Sequence, residues 1–308
     1  MHSRRNALSL LAGRLKKGHY DLLFDAKGAG FTRYSAVHAE LYELSKRQSL
    51  SLMKSKASRT GLVTTDPTLP VHVRGATDLT GNWMMWKSSF SQDIQPSQYV
   101  AALCLKLNVL PEEVPFPVKC NCGKTVTCDA EFIGHTYTCD RFTPFTHLHR
   151  HNEVMYGALV PLAKTYGIHC TAEPSFYTYE EKNGHSPQNR PDITFHLSTP
   201  LATDVTIVCP AHEADIAANE AAHAKVKKHR RAVEQLGHTF EPFPLEIQGH
   251  MHECCYRVIR ALQRELLPLH RRQFYRDITN AVSIALAKGR AESVRAAIAR
   301  SRASYRAL

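Results

Sequence analysis

The stretch that most constrains the fold of this chain is Arg190–Val208, RPDITFHLSTPLATDVTIV, because it encodes two short strands around a turn, with an aspartate at the head of each strand. Ile193, Thr194 and Phe195 favour a strand, as do Val205, Thr206, Ile207 and Val208, while Ser198, Thr199 and Pro200 between them are turn formers. Antiparallel pairing about Ser198 sets Asp192 opposite Asp204 on one face. Directly opposed residues have Cβ atoms about 4.5 to 5.5 Å apart, close enough for both carboxylates to hold one Mg²⁺ or Mn²⁺. Without a cation the two charges repel. A plainer reading makes Asp192 a turn residue after Pro191 and Asp204 a strand-end residue, both facing solvent.

The charge of the chain bears on its partner. Lys and Arg number 39 against 28 Asp and Glu, a net charge of +11, which favours a polyanion, nucleic acid before others. With 308 residues and 43% hydrophobic content the chain can bury a real core, in one large or two to three small domains. No apolar run reaches the roughly 18 residues of a membrane span, and the apolar patch Ala7–Ala12 after Arg4-Arg5 is too short for a secretory signal. No membrane partner and an intracellular location are expected. Nine cysteines, four of them crowded between Cys120 and Cys139, then argue for metal rather than disulfides.

Within KCNCGKTVTCDAEFIGHTYTCDR, Cys120, Cys122, His135 and Cys139 offer three thiolates and an imidazole, the donor set of a tetrahedral structural Zn²⁺ site, with Cys128 as a spare candidate. The alternative is plain buried cysteines and a surface histidine. Such a site supplies folding energy and a nucleic-acid contact surface rather than chemistry.

The remaining pattern divides the chain into residues 1–92, 93–147, 148–250 and 251–308. The first part contains two helical patterns, at 8–15 and 36–51, and a linker at 60–81; its FDAKGAGFTRYS loop lacks a phosphate-cradling glycine pattern. A helix is expected over Pro96–Leu107, opened by its proline. Leu148, Met155, Leu159, Leu162 and Tyr166 recur at helical spacing, with Gly167 as cap and Pro161 as a kink. The start of that helix carries Arg150-His151-Asn152, which either reaches a phosphate or is a solvated first turn. A strand follows over Ile168–Tyr177, then a polar loop at 180–189 and the hairpin. The helix Ala211–Leu236 has a buried stripe of Ala222, Val226, Val233 and Leu236. Lys225 lies beside that stripe with His229, and Lys228 points toward solvent. For both lysines a solvated basic face is the alternative. Phe240–Ile247 reads as a strand confined to a sheet edge by Pro242 and Pro244. Beyond His250 come Arg-rich helices, with breaks expected at Pro268 and Gly289.

From Leu148 to Ile247 the order is helix, strand, strand, strand, helix, strand (αβββαβ), an α/β (α+β) arrangement with acids on the second and third strands. This order resembles the restriction-endonuclease-like core, whose signature is an Asp after Pro followed by an acidic residue two before a Lys. Here the position two after Asp204 is Thr206, so a lysine must come from elsewhere. Cys120-x-Cys122, His135-x-x-x-Cys139, Arg150-His151-Asn152, Glu173-Pro174, Arg190-Pro191-Asp192, Asp204-Val205-Thr206 and Lys225-x-x-Lys228 together resemble the C-terminal endonuclease, with its zinc knuckle, of site-specific non-LTR retrotransposon reverse transcriptase polyproteins. The resemblance covers about Pro96 to Ala303, and only the combined order and spacing of the motifs is specific. It implies a metal-dependent DNA endonuclease acting in the nucleus. On it Asp192 and Asp204 are the Mg²⁺ (or Mn²⁺) ligands and Lys225 or Lys228, from the following helix, is the catalytic lysine. Arg150, His151, Arg190 and Lys228 are expected nucleic-acid contacts. DNA is the expected partner and element RNA a second. In that family the nick exposes a 3′ hydroxyl that primes reverse transcription. The chain has no Asp-Asp pair and hence no polymerase motif, as expected of a fragment, a degenerate copy or a freed nuclease. The competing expectation is a zinc-containing nucleic-acid-binding module without catalysis.

Overall fold

The computed structural model describes residues 94–106, 110–142, 146–177, 190–209 and 216–306. The helical patterns expected at 8–15 and 36–51, the linker at 60–81 and the polar loop at 180–189 lie outside them. The described chain is a mixed α/β structure. It opens with α1 (Pro96–Lys106), whose proline sits in the first turn where no N–H is needed. A two-stranded ribbon, β1 (Val118–Lys119) and β2 (Thr125–Val126), then leads into α2 (Asp129–Thr138).

Helix α3 (Thr146–Val154) runs through a π-helical turn, Met155–Leu159, into α4 (Val160–Thr165). The turn sits where the sequence demands it. Pro161 has no N–H to donate one turn back, and the Val160 N–H reaches Met155 five residues earlier. Gly167 closes the helix at φ 72°, as expected. Leu148 departs from the expected apolar stripe: it is exposed, and Thr146, Arg150 and Val154 take the buried face of α3 instead.

The central sheet is β3 (Cys170–Ala172), β4 (Ile193–Phe195), β5 (Leu201–Thr203) and β7 (Thr239–Phe240), in that order. A second pair, β6 (Val205–Val208) and β8 (Phe243–Glu246), extends β5 and β7 past a break. The β4–β5 register is Ile193 to Thr203, Thr194 to Ala202 and Phe195 to Leu201. This is the pairing about Ser198 read from the sequence, but the strand that pairs with β4 is Leu201–Thr203. Val205–Val208 leaves the hairpin and pairs in parallel with β8, a contact with a segment more than thirty residues on that no local pattern announces. The expected strand Ile168–Tyr177 is correspondingly short, only Cys170–Ala172 being paired. Pro242 breaks the last strand between Phe240 and Phe243, whereas Pro244 lies within β8 opposite Thr206, and β7 stands at the sheet edge.

The strands bury alternate residues on two faces. Ile193, Phe195 and Leu201 join a core with Met155, Leu159, Leu162, Phe243, Val258, Phe274, Ile278 and Val282, covered by α3–α4, α6 (Glu253–Arg264) and α7 (Pro268–Arg306). On the other face, Ala202, Phe240 and Tyr177 pack with Val233 and Val226 of α5 (Ile216–Glu234). Leu236, expected in the buried stripe of this helix, is exposed beyond its end. A further core joins Phe132, Ile133, Val126 and Leu110 to Val294, Ala297 and Ile298 of α7.

Gly289 does not break α7, which continues through it for 39 residues. The glycine serves packing. A Cβ there would stand 3.0 Å from Arg150 Cα and 3.1 Å from its Cγ, so only a hydrogen lets α3 and α7 approach this closely.

Candidate functional site

Two sites emerge, a sulfur-rich cluster and a pair of carboxylates at one end of the central strands. The first is built by the β1–β2 ribbon and α2. Gly123, at φ 93°, lets the chain turn back so that its N–H donates to the Cys120 carbonyl, and the Cys122 N–H faces the Cys120 sulfur at 3.4 Å. Helix α2 contributes His135 on its last turn, and Cys139 caps it. One ligand atom from each of Cys120, Cys122, His135 and Cys139 lies within 4.8 Å of every other, so this Cys3His cluster could hold a metal such as zinc. The distances suit that metal. Bonds of about 2.3 Å to sulfur and 2.0 to 2.1 Å to nitrogen in a tetrahedron separate two sulfurs by about 3.8 Å and sulfur from nitrogen by about 3.5 Å. Cys120 Sγ and Cys139 Sγ are 3.8 Å apart, and Cys122 Sγ is 3.5 Å from His135 Nε2. Burial lowers the His135 pKa, which keeps the imidazole neutral as a ligand must be. Burial also pushes the Cys120 thiol up to about 11, whereas the Lys124 N–H lowers that of Cys122, the better thiolate of the two. Cys128, the spare candidate, is exposed outside the cluster, at the N-cap of α2.

The second site lies where β5 gives way to β6. Asp204 occupies that junction: its carbonyl accepts from the Phe243 N–H, and its side chain is 3% exposed. Across the hairpin, the Asp192 N–H donates to the Thr203 carbonyl at 3.0 Å, so the ladder runs on past Ile193 and carries Asp192 toward Asp204. A buried carboxylate needs a cation. Helix α5 supplies two groups from positions four apart on one face: Lys225 Nζ lies 2.5 Å from Asp204 Oδ1, and His229 Nε2 lies 2.8 Å from Oδ2. Burial pushes the Asp204 carboxyl up, but the His229 hydrogen bond and the Lys225 charge outweigh it and hold the group below the ordinary carboxylate range.

Asp192 has partners of its own. Its Oδ2 accepts from the Val205 N–H at 2.6 Å and faces His151 Nε2 at 2.8 Å. The other His151 nitrogen faces Asn152 Oδ1 at 3.2 Å. Burial disfavours the charged imidazole, but the Asp192 hydrogen bond and charge prevail, and the His151 pKa is raised. Beside it, Glu173 donates its N–H to the Asp192 carbonyl at 2.7 Å from a left-handed backbone, φ 49°. Its carboxylate is ion-paired with Arg190 and accepts from the Tyr156 hydroxyl at 3.2 Å.

The expected residues thus sort unevenly. Asp192, Asp204 and Lys225 gather at one end of the central strands β4 and β5, and Lys228 is exposed on α5. The helical pattern sets His229 beside Lys225 without giving it a role; its spacing of four residues from Lys225 is the signal. Arg150 corrects an expectation: it is 4% exposed, donates to the Tyr137 carbonyl and Ser293 hydroxyl at 3.3 Å each, and stands over the Tyr137 ring, so it presents nothing to a phosphate. His151 likewise turns to Asp192 rather than outward, and Arg190 to Glu173. Nor do Asp192 and Asp204 form a cluster of three ligand atoms; among the described residues the Cys3His group alone does so. No helix of the described residues is long and apolar enough to cross a membrane. Compared with known proteins, the chain matches no family model and no curated protein.

Proposed function

We propose that the chain is a metal-dependent DNA endonuclease with a restriction-endonuclease-like core, related to the C-terminal endonuclease of site-specific non-LTR retrotransposon polyproteins. The observation that carries the reading is the buried Asp204, clasped by Lys225 from the following helix and aligned across the hairpin with Asp192. The order of elements agrees with it, since β5–β6 and β7–β8 act as two broken strands in an αβββαβ sequence. The lysine missing at Thr206 is replaced from α5, as the resemblance implies. A Cys3His cluster with the donor set of a zinc knuckle precedes the core.

Two carboxylates are hard oxygen donors and fit Mg²⁺ or Mn²⁺ in kind; Asp192 and Asp204 would hold it. When bound, such an ion supplies a Lewis acid for the scissile phosphate and a more acidic water. The chain does the rest. Val205 N–H and His151 orient the Asp192 carboxylate. Lys225, with 28% of its side chain exposed, can turn its ammonium from Asp204 to the charge that builds on the phosphorane oxygens. His229, fully buried, keeps Asp204 in place as Lys225 moves. The same reading implies a nuclear location, a nick that leaves a 3′ hydroxyl for priming, and element RNA as a further partner.

Nicking of supercoiled plasmid tests this. The parent protein nicks only with Mg²⁺ or Mn²⁺, and Asp192→Ala or Asp204→Ala abolishes nicking while DNA binding persists. Nicking by either variant at the parent rate overturns it. One observation favours a second reading, a zinc-containing binding module without catalysis: each carboxylate already has a partner within the chain, His151 on Asp192 and Lys225 on Asp204. Under that reading the parent binds DNA but does not nick it with any divalent cation.

A further inference from the structure

The corner between α6 and α7 is unlike the rest of the surface. Leu267 is 64% exposed and Leu269 71%, the highest values for any large apolar side chain among the described residues. They flank Pro268, which opens α7. Around them Arg264, Arg271, Arg272 and Arg276 are exposed, against a single exposed carboxylate, Glu265. That carboxylate is engaged, accepting from the Ser198 hydroxyl at 2.8 Å.

The corner is also stiff. Arg271 donates to the Leu266 carbonyl at 3.0 Å and the Arg264 carbonyl at 3.2 Å, and the Gln263 amide donates to the Arg271 carbonyl at 2.8 Å. Two leucines are therefore held out into water by a braced turn, at a standing cost in apolar hydration that a partner would relieve. Leu269, Arg272 and Arg276 follow one another at helical spacing on one stripe of α7, which sets cations beside an apolar tip.

We propose that this corner is a second DNA contact, at which Leu267 and Leu269 wedge between base pairs in the minor groove while Arg264, Arg272 and Arg276 hold phosphates and Arg271 braces the turn. Apolar wedges with adjacent cations are how proteins unstack and kink a duplex, and the arginine excess matches a polyanion. The inference rests on the DNA-binding reading above and adds a bend to it. Its placement ties it to the sheet: Glu265 joins the corner to Ser198 in the β4–β5 turn, at most about 20 Å along the hairpin from Asp192, and the two leucines lie a few residues further on.

The test uses the full chain without Mg²⁺, a duplex carrying 2-aminopurine at successive positions, and anisotropy for affinity. The parent raises the fluorescence of one position some base pairs from the nick. Leu267→Ala combined with Leu269→Ala loses that signal and binds roughly tenfold more weakly, with the salt dependence of binding unchanged because no charge is altered. Both leucines are exposed, so the variant folds; its melting temperature verifies this. Equal unstacking by parent and variant overturns the proposal. So does a parent that sediments as a dimer which the substitutions dissociate, or one whose leucines affect binding to anionic vesicles but not to DNA. A parent that unstacks DNA yet never nicks leaves this site standing and overturns the nuclease reading; one that nicks without unstacking does the reverse.

Discussion

At the scale of single residues, the two lysines of α5 differ by one helical turn and by their surroundings. Lys225 lies against Asp204, its stem partly buried; Lys228 is exposed. Lys225→Ala is expected to lower the nicking rate by roughly a hundredfold or more with little change in DNA affinity, as loss of a contact made in the transition state should. Lys228→Ala should weaken binding modestly and spare single-turnover cleavage at saturating protein. The reverse pattern in those two assays would remove Lys225 from the site. The His151–Asp192 pair makes a separate prediction about stability. A histidine whose pKa is raised by folding contributes stability that is fully present below its unfolded value, about 6.5, and is lost as pH rises through the higher folded value. Without added divalent cation, the difference in melting temperature between the parent and Asp192→Asn should be greatest at acidic pH and shrink above about pH 6.5. A difference that grows with pH would mean that His151 is neutral in the fold.

At the scale of elements, Gly289 marks where local rules fail. A glycine inside a helical pattern costs about 1 kcal/mol relative to alanine, and on that ground alone Gly289→Ala should stabilise α7. The 3.0 Å approach to Arg150 Cα argues the opposite, since overpacking against backbone costs about 1 to 3 kcal/mol. We expect a net loss of about 1 kcal/mol, a fall of about 2 to 4 °C in melting temperature; a rise would show that α3 and α7 can part without cost. The same contrast explains what the sequence made legible. The hairpin register could be read because a short turn fixes which residues meet, and the Cys3His cluster because its members lie close in sequence on one ribbon and one short helix. Parallel pairing of Val205–Val208 with Phe243–Glu246 could not be read, since it joins segments across the whole of α5. Nor could the burial of Arg150, which α2 and α7 impose from afar through Tyr137 and Ser293.

At the scale of the molecule, α7 decides whether the Cys3His cluster and the sheet behave as one body. Its first half, with Phe274, Ile278, Val282 and Leu286, belongs to the core over the sheet. Its second half, with Val294, Ala297 and Ile298, packs against Phe132, Ile133 and Cys120 at the Cys3His cluster, and Ile247, just past β8, joins the same core. Arg150 fastens α3 to α2 by its bond to the Tyr137 carbonyl. If the Cys3His cluster holds zinc, its release would leave Cys120 and His135 buried without the ion that satisfies them, and the loosened α2 would withdraw packing from the helix that also covers the sheet. A zinc-selective chelator should therefore lower a single melting transition by several degrees, not split it into a low and a high one, and re-addition of zinc should restore it. Cys139→Ser should act in the same direction without chelator. Two transitions after chelation, with the upper one unmoved, would mean that the knuckle folds apart from the core and that α7 does not couple them.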